Sequence, residues 1–103
     1  MKRKFYFIKD TVSGQFYTGQ ENDIADFSEA AVYYSEASAK KKIKSIIEDW
    51  DDDHQFADSW INDAKKGVGT SLRWAKEKKN NVLKRQNLDQ WGMEIVSVEV
   101  KAP

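Results

Sequence analysis

The sequence predicts an α+β fold, because strand-like segments occupy both ends of the chain and helical periodicity fills its middle. Aromatic and β-branched residues dominate positions 4–9, and apolar and polar residues alternate over positions 93–101. Both patterns are typical of strands. Because one half-buried strand is not stable alone, we expect the C-terminal strand to join an N-terminal β-hairpin in a small antiparallel sheet. About three helices should cover one face of that sheet, within a single domain spanning residues 1–103.

The N-terminal hairpin is predicted from two strand-like segments that flank a turn. Residues 4–9 and 15–18 are the strands, and the intervening residues are types that favour tight turns, including Gly14 with its access to positive φ. The polar residues 19–26 predict a loop, and the residues that follow suit a single helical turn. The apolar residues 31–34 are either a brief strand or the approach to the next helix.

Three helical segments are predicted in the middle of the chain. Ser35 is a suitable N-cap, and apolar residues recur over positions 39–50 with the spacing of one helical face. A second amphipathic segment covers residues 56–64 and stops before Gly67, a residue type common just after a helix. A third segment, over residues 72–83, places its apolar side chains roughly on one side. The predicted element order is therefore β-β-(short β)-α-α-α-β.

The charge of the chain is balanced overall but segregated along its length. The 17 basic and 17 acidic residues give a formal net charge of zero, which argues against a simply basic nucleic-acid binder and against a wholly acidic mimic. Residues 48–63 nevertheless hold seven acidic residues and no lysine or arginine, whereas residues 65–85 hold eight basic residues and one acidic residue. Neutrality is therefore a cancellation between neighbouring segments.

Two interpretations of this segregation are open. The charged segments are either solvated helix faces that neutralise each other across a hairpin, or patches that bind a partner. An acidic patch can dock on the basic groove of a nucleic-acid-binding protein, and the acidic candidates are Asp49, Asp51, Asp52, Asp53 and Asp58. A basic helix can instead follow a phosphate backbone with a tryptophan for base stacking, and this alternative basic face comprises Arg73, Lys76, Lys79, Lys84 and Trp74.

The sequence contains no motif that predicts catalysis, a metal site or a cofactor. The absence of cysteine excludes disulfides, thiolate metal sites and cysteine nucleophiles. Residues 51–54, Asp-Asp-Asp-His, lack the spacing of a calcium loop, and consecutive helical residues point in different directions. His54 is the only histidine. We therefore expect a protein that is not an enzyme.

The N-terminus begins with basic residues followed by an apolar run, as a secretory signal does. The run covers only residues 5–8, whereas a signal sequence needs roughly 7–15 apolar residues and a membrane span needs about 20. We therefore expect a cytoplasmic protein that does not interact with membranes.

Two stretches of the chain show an order of motifs that occurs elsewhere. They are Phe5-Tyr6-Phe7-Ile8-Lys9-Asp10, Ser13-Gly14, Phe16-Tyr17, Asp26-Phe27-Ser28-Glu29-Ala30, Val32-Tyr33-Tyr34-Ser35 and Ala39-Lys40-Lys41, followed by the ending Trp91-Gly92-Met93-Glu94-Ile95-Val96-Ser97-Val98-Glu99-Val100. In these stretches the chain resembles small accessory proteins of tailed bacteriophages. The resemblance implies expression in the bacterial cytoplasm and the binding and modulation of a host protein. These phage proteins are mostly uncharacterised, so the resemblance assigns no functional residue, and residues 48–85 lie outside it.

Together these observations predict a non-catalytic, phage-type accessory protein. We expect it to bind a host protein through charged helical faces and to modulate that protein, with inhibition as the expected effect. A host protein that handles nucleic acid or acts in defence would offer a suitable basic surface. The alternative is a nucleic-acid-binding module that uses the basic helix around residues 70–85.

Overall fold

A computed structural model describes residues 2–101 of the chain. The strands are β1 (Lys2–Asp10), β2 (Phe16–Tyr17), β3 (Ile24–Ala25) and β4 (Met93–Lys101), and the helices are α1 (Glu36–Lys65) and α2 (Leu72–Arg85). Two short 3₁₀ turns, Phe27–Glu29 and Asp89–Gly92, precede α1 and β4 respectively. The predicted α+β class and the predicted antiparallel sheet are confirmed.

The four strands form an antiparallel sheet in the order β3-β2-β1-β4. The C-terminal strand pairs with β1 over nine residues, from Lys2 opposite Lys101 to Asp10 opposite Met93. The loop predicted over residues 19–26 is partly wrong, because Ile24 and Ala25 pair with β2 as β3.

The apolar run at residues 31–34 contributes a single bridge rather than a strand. The backbone N–H groups of Tyr6 and Tyr33 each donate to the other residue's carbonyl at 2.8 Å. This bridge ties the segment before α1 to the central strand of the sheet.

The structure contains two α-helices, so the prediction of about three is wrong. The segments predicted over residues 39–50 and 56–64 belong to one continuous helix of 30 residues. No glycine or proline interrupts residues 36–65, and the buried face passes from Trp50 to Ala57 two turns later. The polar residues between them are exposed or half-buried helical positions rather than a loop.

The helix termini follow the predicted chemistry. The Ser35 hydroxyl accepts a hydrogen bond from the backbone N–H of Ser38, and the Ser71 hydroxyl accepts one from the N–H of Trp74. Gly67 follows the end of α1 with a φ of +77°, a conformation that favours glycine.

The hydrophobic core lies between α1 and one face of the sheet. Strand residues alternate between the two faces, and Ile8 on β1 and Met93 on β4 point toward the helix. The buried members of the core are Ile8, Tyr17, Ala39, Ile43, Ile46, Trp50, Val82 and Met93. The molecule is elongated, 59 Å by 24 Å by 18 Å, which agrees with an α1 of roughly 45 Å at 1.5 Å per residue.

The opposite side of the sheet, which we call the outer sheet face, carries aromatic and aliphatic side chains. Phe7 packs on Phe27 with ring centroids 4.8 Å apart, and Phe5 packs on Tyr34 at 5.8 Å. Tyr34 itself is 78% exposed. Within residues 2–101, the 3₁₀ turn Phe27–Glu29 and the segment before α1 therefore cover part of this face.

Candidate functional site

The α1–α2 hairpin brings the acidic and basic segments side by side. Lys79 Nζ lies 2.6 Å from Asp58 Oδ1, and Lys78 Nζ lies 3.3 Å from Asp53 Oδ2. The hydrogen bond and charge of Lys79 hold the pKa of the Asp58 carboxyl below its ordinary value. Two of the five acidic candidates are therefore engaged inside the molecule, by lysines of the basic segment.

Asp53 anchors the loop before β3 to the hairpin. Asn22 Nδ2 donates to Asp53 Oδ2 at 2.7 Å, and Lys78 Nζ donates to Asn22 Oδ1 at 3.3 Å. Lys78 Nζ also lies 5.5 Å and 5.7 Å from the ring centroids of Trp50 and Trp74, a cation–π arrangement. Because its carboxylate is held by two partners at a half-buried position, Asp53 is a structural residue.

The remaining acidic candidates face outward. Asp51 and Asp52 are exposed and Asp49 is half-buried. Together with two further exposed carboxylates they form what we call the acidic face: Glu21, Glu48, Asp49, Asp51 and Asp52. Within residues 2–101, no member of the acidic face forms an ion pair.

The pKa of the Asp49 carboxyl depends on its burial and on the charges around it in the acidic face. Desolvation raises the pKa of its carboxyl, and the neighbouring negative charge of Glu21 raises it further. Lys42 lowers this pKa, whereas Asp52 and Asp53 raise it. Three acidic neighbours and one lysine therefore act on the Asp49 carboxyl.

Two of the four basic candidates on α2 form ion pairs with carboxylates of the same chain. Arg73 pairs with Glu77 one turn away, at 3.1 Å, and Lys79 pairs with Asp58 on α1. Lys76 and Lys84 are exposed.

Trp74, the stacking candidate, is 39% exposed and packs on Trp60 with ring centroids 5.5 Å apart. Trp60 in turn stacks on the exposed Phe56. Trp50, on the apolar face predicted over positions 39–50, is buried at 2% exposure, whereas Trp60, in the amphipathic segment predicted over residues 56–64, is only half-buried. The ring of Trp74 is therefore part of an aromatic row along the hairpin.

A buried ion pair that the sequence pattern does not predict links the sheet to α2. Arg85 Nη2 lies 2.6 Å from Asp10 Oδ2, and Arg85 Nε donates to Asp10 Oδ1 at 3.2 Å. The guanidinium carbon lies 4.7 Å from the ring centroid of Trp50. From the sequence alone, Arg85 belongs to the basic segment of residues 65–85. The signal that could have identified it is its spacing, since it lies one turn after Val82 on the buried side of α2.

A second buried contact joins β2 to α1. The indole N–H of Trp50 donates to the Tyr17 hydroxyl at 3.0 Å, and both side chains are buried. Desolvation by burial raises the pKa of Tyr17 from 10.0 to about 12. The folded protein therefore holds the phenol proton more tightly than the unfolded chain does.

This pKa shift predicts a loss of stability at high pH. The contribution of Tyr17 is fully present below pH 10 and is lost as the pH rises from 10 to about 12. Urea denaturation across this range should show a steeper fall for the wild type than for Tyr17→Phe. Tyr34→Phe, at an exposed position, should keep the wild-type slope. Equal slopes for the wild type and Tyr17→Phe would contradict this assignment.

An open cleft of about 810 Å³ lies beside the acidic face. It is bordered by the loop of residues 20–24 and by Trp50, Trp74, Lys78 and Asn81. Its lining combines amides, carboxylates and aromatic rings around a lysine whose ammonium group is already bound to Asp53 and Asn22. The cleft therefore offers no paired nucleophile and base.

His54 and the adjacent aspartates do not converge. The nearest ring to His54 is Trp91, at 6.5 Å between centroids. Over the described part of the chain, no three His, Asp or Glu side chains are placed to hold a metal ion. In the same range, no helix is both long enough and apolar enough to cross a membrane.

The hairpin thus joins Asp53 and Asp58 to lysines of α2, while the acidic face and the basic candidates Lys76 and Lys84 lie outside these ion pairs. Comparison of the chain with protein-family models, curated proteins and solved structures finds no match.

Proposed function

We propose that this chain is a non-catalytic accessory protein of the phage type that binds a basic surface of a host protein through its acidic face and modulates, in the simplest case inhibits, that protein. The observation that carries the proposal is the uneven outcome of pairing in the hairpin. Lysines of α2 engage Asp53 and Asp58, while the five carboxylates of the acidic face have no ion-pair partner within residues 2–101.

Electrostatic complementarity gives this face a physical role in binding. After desolvation, which is the largest cause, the negative charges of Glu21, Asp52 and Asp53 also raise the pKa of the Asp49 carboxyl, and a basic partner surface would relieve that repulsion. Such complementarity mainly increases the association rate and selects the partner, and salt screens it. Binding should therefore weaken with increasing ionic strength.

Direct nucleic-acid binding by α2 is the less well supported alternative. Arg73, Lys79 and Arg85 are each engaged with a carboxylate. Within residues 2–101, Lys76 and Lys84 are then the two of the four basic candidates that form no ion pair. Two lysines give a weak phosphate-binding surface, because affinity for nucleic acid grows with the number of phosphates neutralised.

Charge reversal on the acidic face tests the proposal. The wild type and an Asp51→Lys/Asp52→Lys variant are immobilised, exposed to bacterial lysate and washed with increasing salt. The matched control, Asp63→Lys/Asp89→Lys, introduces the same change in charge at exposed positions outside the acidic face. Circular dichroism verifies that all three proteins are folded.

We expect the wild type and the control to retain the same proteins, which salt releases, and the Asp51→Lys/Asp52→Lys variant to lose them. Equal retention by all three proteins would refute a role for the acidic face. A gel-shift titration at low salt tests the alternative. A salt-sensitive shift of DNA or RNA that Lys76→Glu/Lys84→Glu weakens would favour nucleic-acid binding instead.

A further inference from the structure

Strand β4 forms an open edge of the sheet. It is the last strand in the order β3-β2-β1-β4 and pairs only with β1 over residues 2–101. The backbone N–H and C=O groups on its other side therefore lie at the sheet edge along nine residues. Natural proteins protect such edges with short strands, prolines, bulges or inward-pointing charges. β4 is long, contains no proline and pairs with β1 in continuous register; its charged residues are Glu94 on the outer sheet face and Glu99 and Lys101 on the face of Ile95.

The exposed side chains on this edge form an apolar row. Val98 and Val100 are 38% and 46% exposed, and Val96 precedes them on the same face. Val96 lies opposite Phe7 and Val98 lies opposite Phe5 on the neighbouring strand. The row thus continues the outer sheet face up to the open edge.

The sequence of β4 is complementary to itself in an antiparallel register. With Val98 on a twofold axis, Val98 faces its own copy and Val96 faces Val100. On the other face, Ser97 faces Glu99 and Ile95 faces Lys101. Opposite residues share a face in every pair, and no like charges meet.

Neighbouring registers are less favourable. An axis at Glu99 places two carboxylates directly opposite each other, which is destabilising. An axis at Ser97 places Glu94 opposite Val100 and Ile95 opposite Glu99, which makes two pairs of an apolar residue with a charge, whereas the axis at Val98 makes one, Ile95 with Lys101. The register centred on Val98 instead pairs residues 95–101 of one copy with residues 101–95 of the other and unites the two valine rows.

We infer that two copies of this chain associate through antiparallel pairing of their β4 strands about Val98, which joins their sheets into one of eight strands. The strand-to-strand hydrogen bonds satisfy the open edge, and the joined valines form an apolar strip continuous with Phe5 and Phe7 of both copies. This interface does not overlap the acidic face, so it stands independently of the proposed function.

The mass of the full-length protein in solution provides the first test. Light scattering over a dilution series should give twice the chain mass for the wild type. Val98→Lys, which places two lysines opposite each other on the axis, should give the mass of one chain. The matched control Val68→Lys makes the same substitution at an exposed valine after α1 and should stay dimeric. A monomeric wild type at all concentrations, or a dimer unaffected by Val98→Lys, would overturn the inference.

Cysteine cross-linking tests the register. The chain has no cysteine, so each variant carries a single thiol. Directly opposite residues of antiparallel strands have Cα atoms about 4.5–5.5 Å apart, within reach of a disulfide. Two copies of residue 96 would instead be separated by four residues along the strand, about 13 Å.

We expect Val98→Cys to form a covalent dimer under mild oxidation, whereas Val96→Cys and the surface control Val68→Cys do not. Efficient cross-linking at position 96, or none at position 98, would contradict pairing about Val98. A foreign strand added to the same edge would also leave Val98→Cys unlinked, and this outcome counts against a second copy as the occupant.

Discussion

Replacing Arg85 by methionine is expected to lower the free energy of unfolding by about 3–5 kcal/mol, the range for breaking a buried ion pair from one side. The guanidinium makes two hydrogen bonds to Asp10 and lies over the ring of Trp50. Its loss leaves the Asp10 carboxylate buried, and the side-chain-contacting donors that remain to it within residues 2–101 are the hydroxyl and the backbone N–H of Ser13. Urea denaturation followed by circular dichroism measures the effect.

Two controls separate the ion pair from a general loss of charge on α2. Lys84→Met removes the adjacent exposed charge, and we expect it to change stability by less than about 0.5 kcal/mol. Asp10→Leu combined with Arg85→Met removes both partners, so the double variant should be more stable than Arg85→Met alone. A double variant as unstable as the sum of both single variants would contradict a coupled pair.

Replacing Trp50 by alanine is expected to destabilise the fold by about 3–5 kcal/mol, the range for truncating a buried aromatic residue. The indole fills the core between α1 and the sheet, donates to the Tyr17 hydroxyl, and lies beneath Arg85. Its removal therefore creates a cavity and leaves the Tyr17 hydroxyl without its indole donor.

The matched substitution Trp74→Ala should cost far less, because that ring is partly solvated. Thermal and urea denaturation of the two variants give the comparison directly. Similar losses in both variants would mean that the aromatic row along the hairpin, rather than the Trp50 contacts, stabilises the packing of the helices.

Much of the fold can be predicted from the sequence because its signals are local. The alternation over residues 93–101 predicts the C-terminal strand. Because a single strand is not stable alone, it was expected to pair with the N-terminal strands, and its pairing with β1 confirms this. Ser35 was correctly expected to begin a helix through its side-chain cap. The predicted number of helices was wrong because the five consecutive polar residues after Trp50 resemble a loop between two helices. Because this segment contains no glycine or proline, however, the five residues continue α1 between the buried Trp50 and Ala57.

The candidate site was less predictable because it depends on which charges meet in space. Asp53 and Asp52 are adjacent in sequence, yet Asp53 binds Asn22 and Lys78 while Asp52 is exposed. Arg85 pairs with Asp10 across 75 positions. Its spacing after Val82 indicates that it is buried, but no pattern within α2 identifies its partner on β1. The net charge of zero is likewise a sum over the ion pairs that form and over the acidic and basic side chains that remain outside them.

Site-specific photo-cross-linking from position 52 tests the central claim most directly. A photoreactive residue replaces Asp52 on the acidic face in one variant and Lys76 on the basic helix in another, and both are expressed in bacteria. The account predicts a discrete protein adduct from position 52 that diminishes in the Asp51→Lys background, and no such adduct from position 76. An adduct to protein or nucleic acid from position 76, with none from position 52, would contradict it.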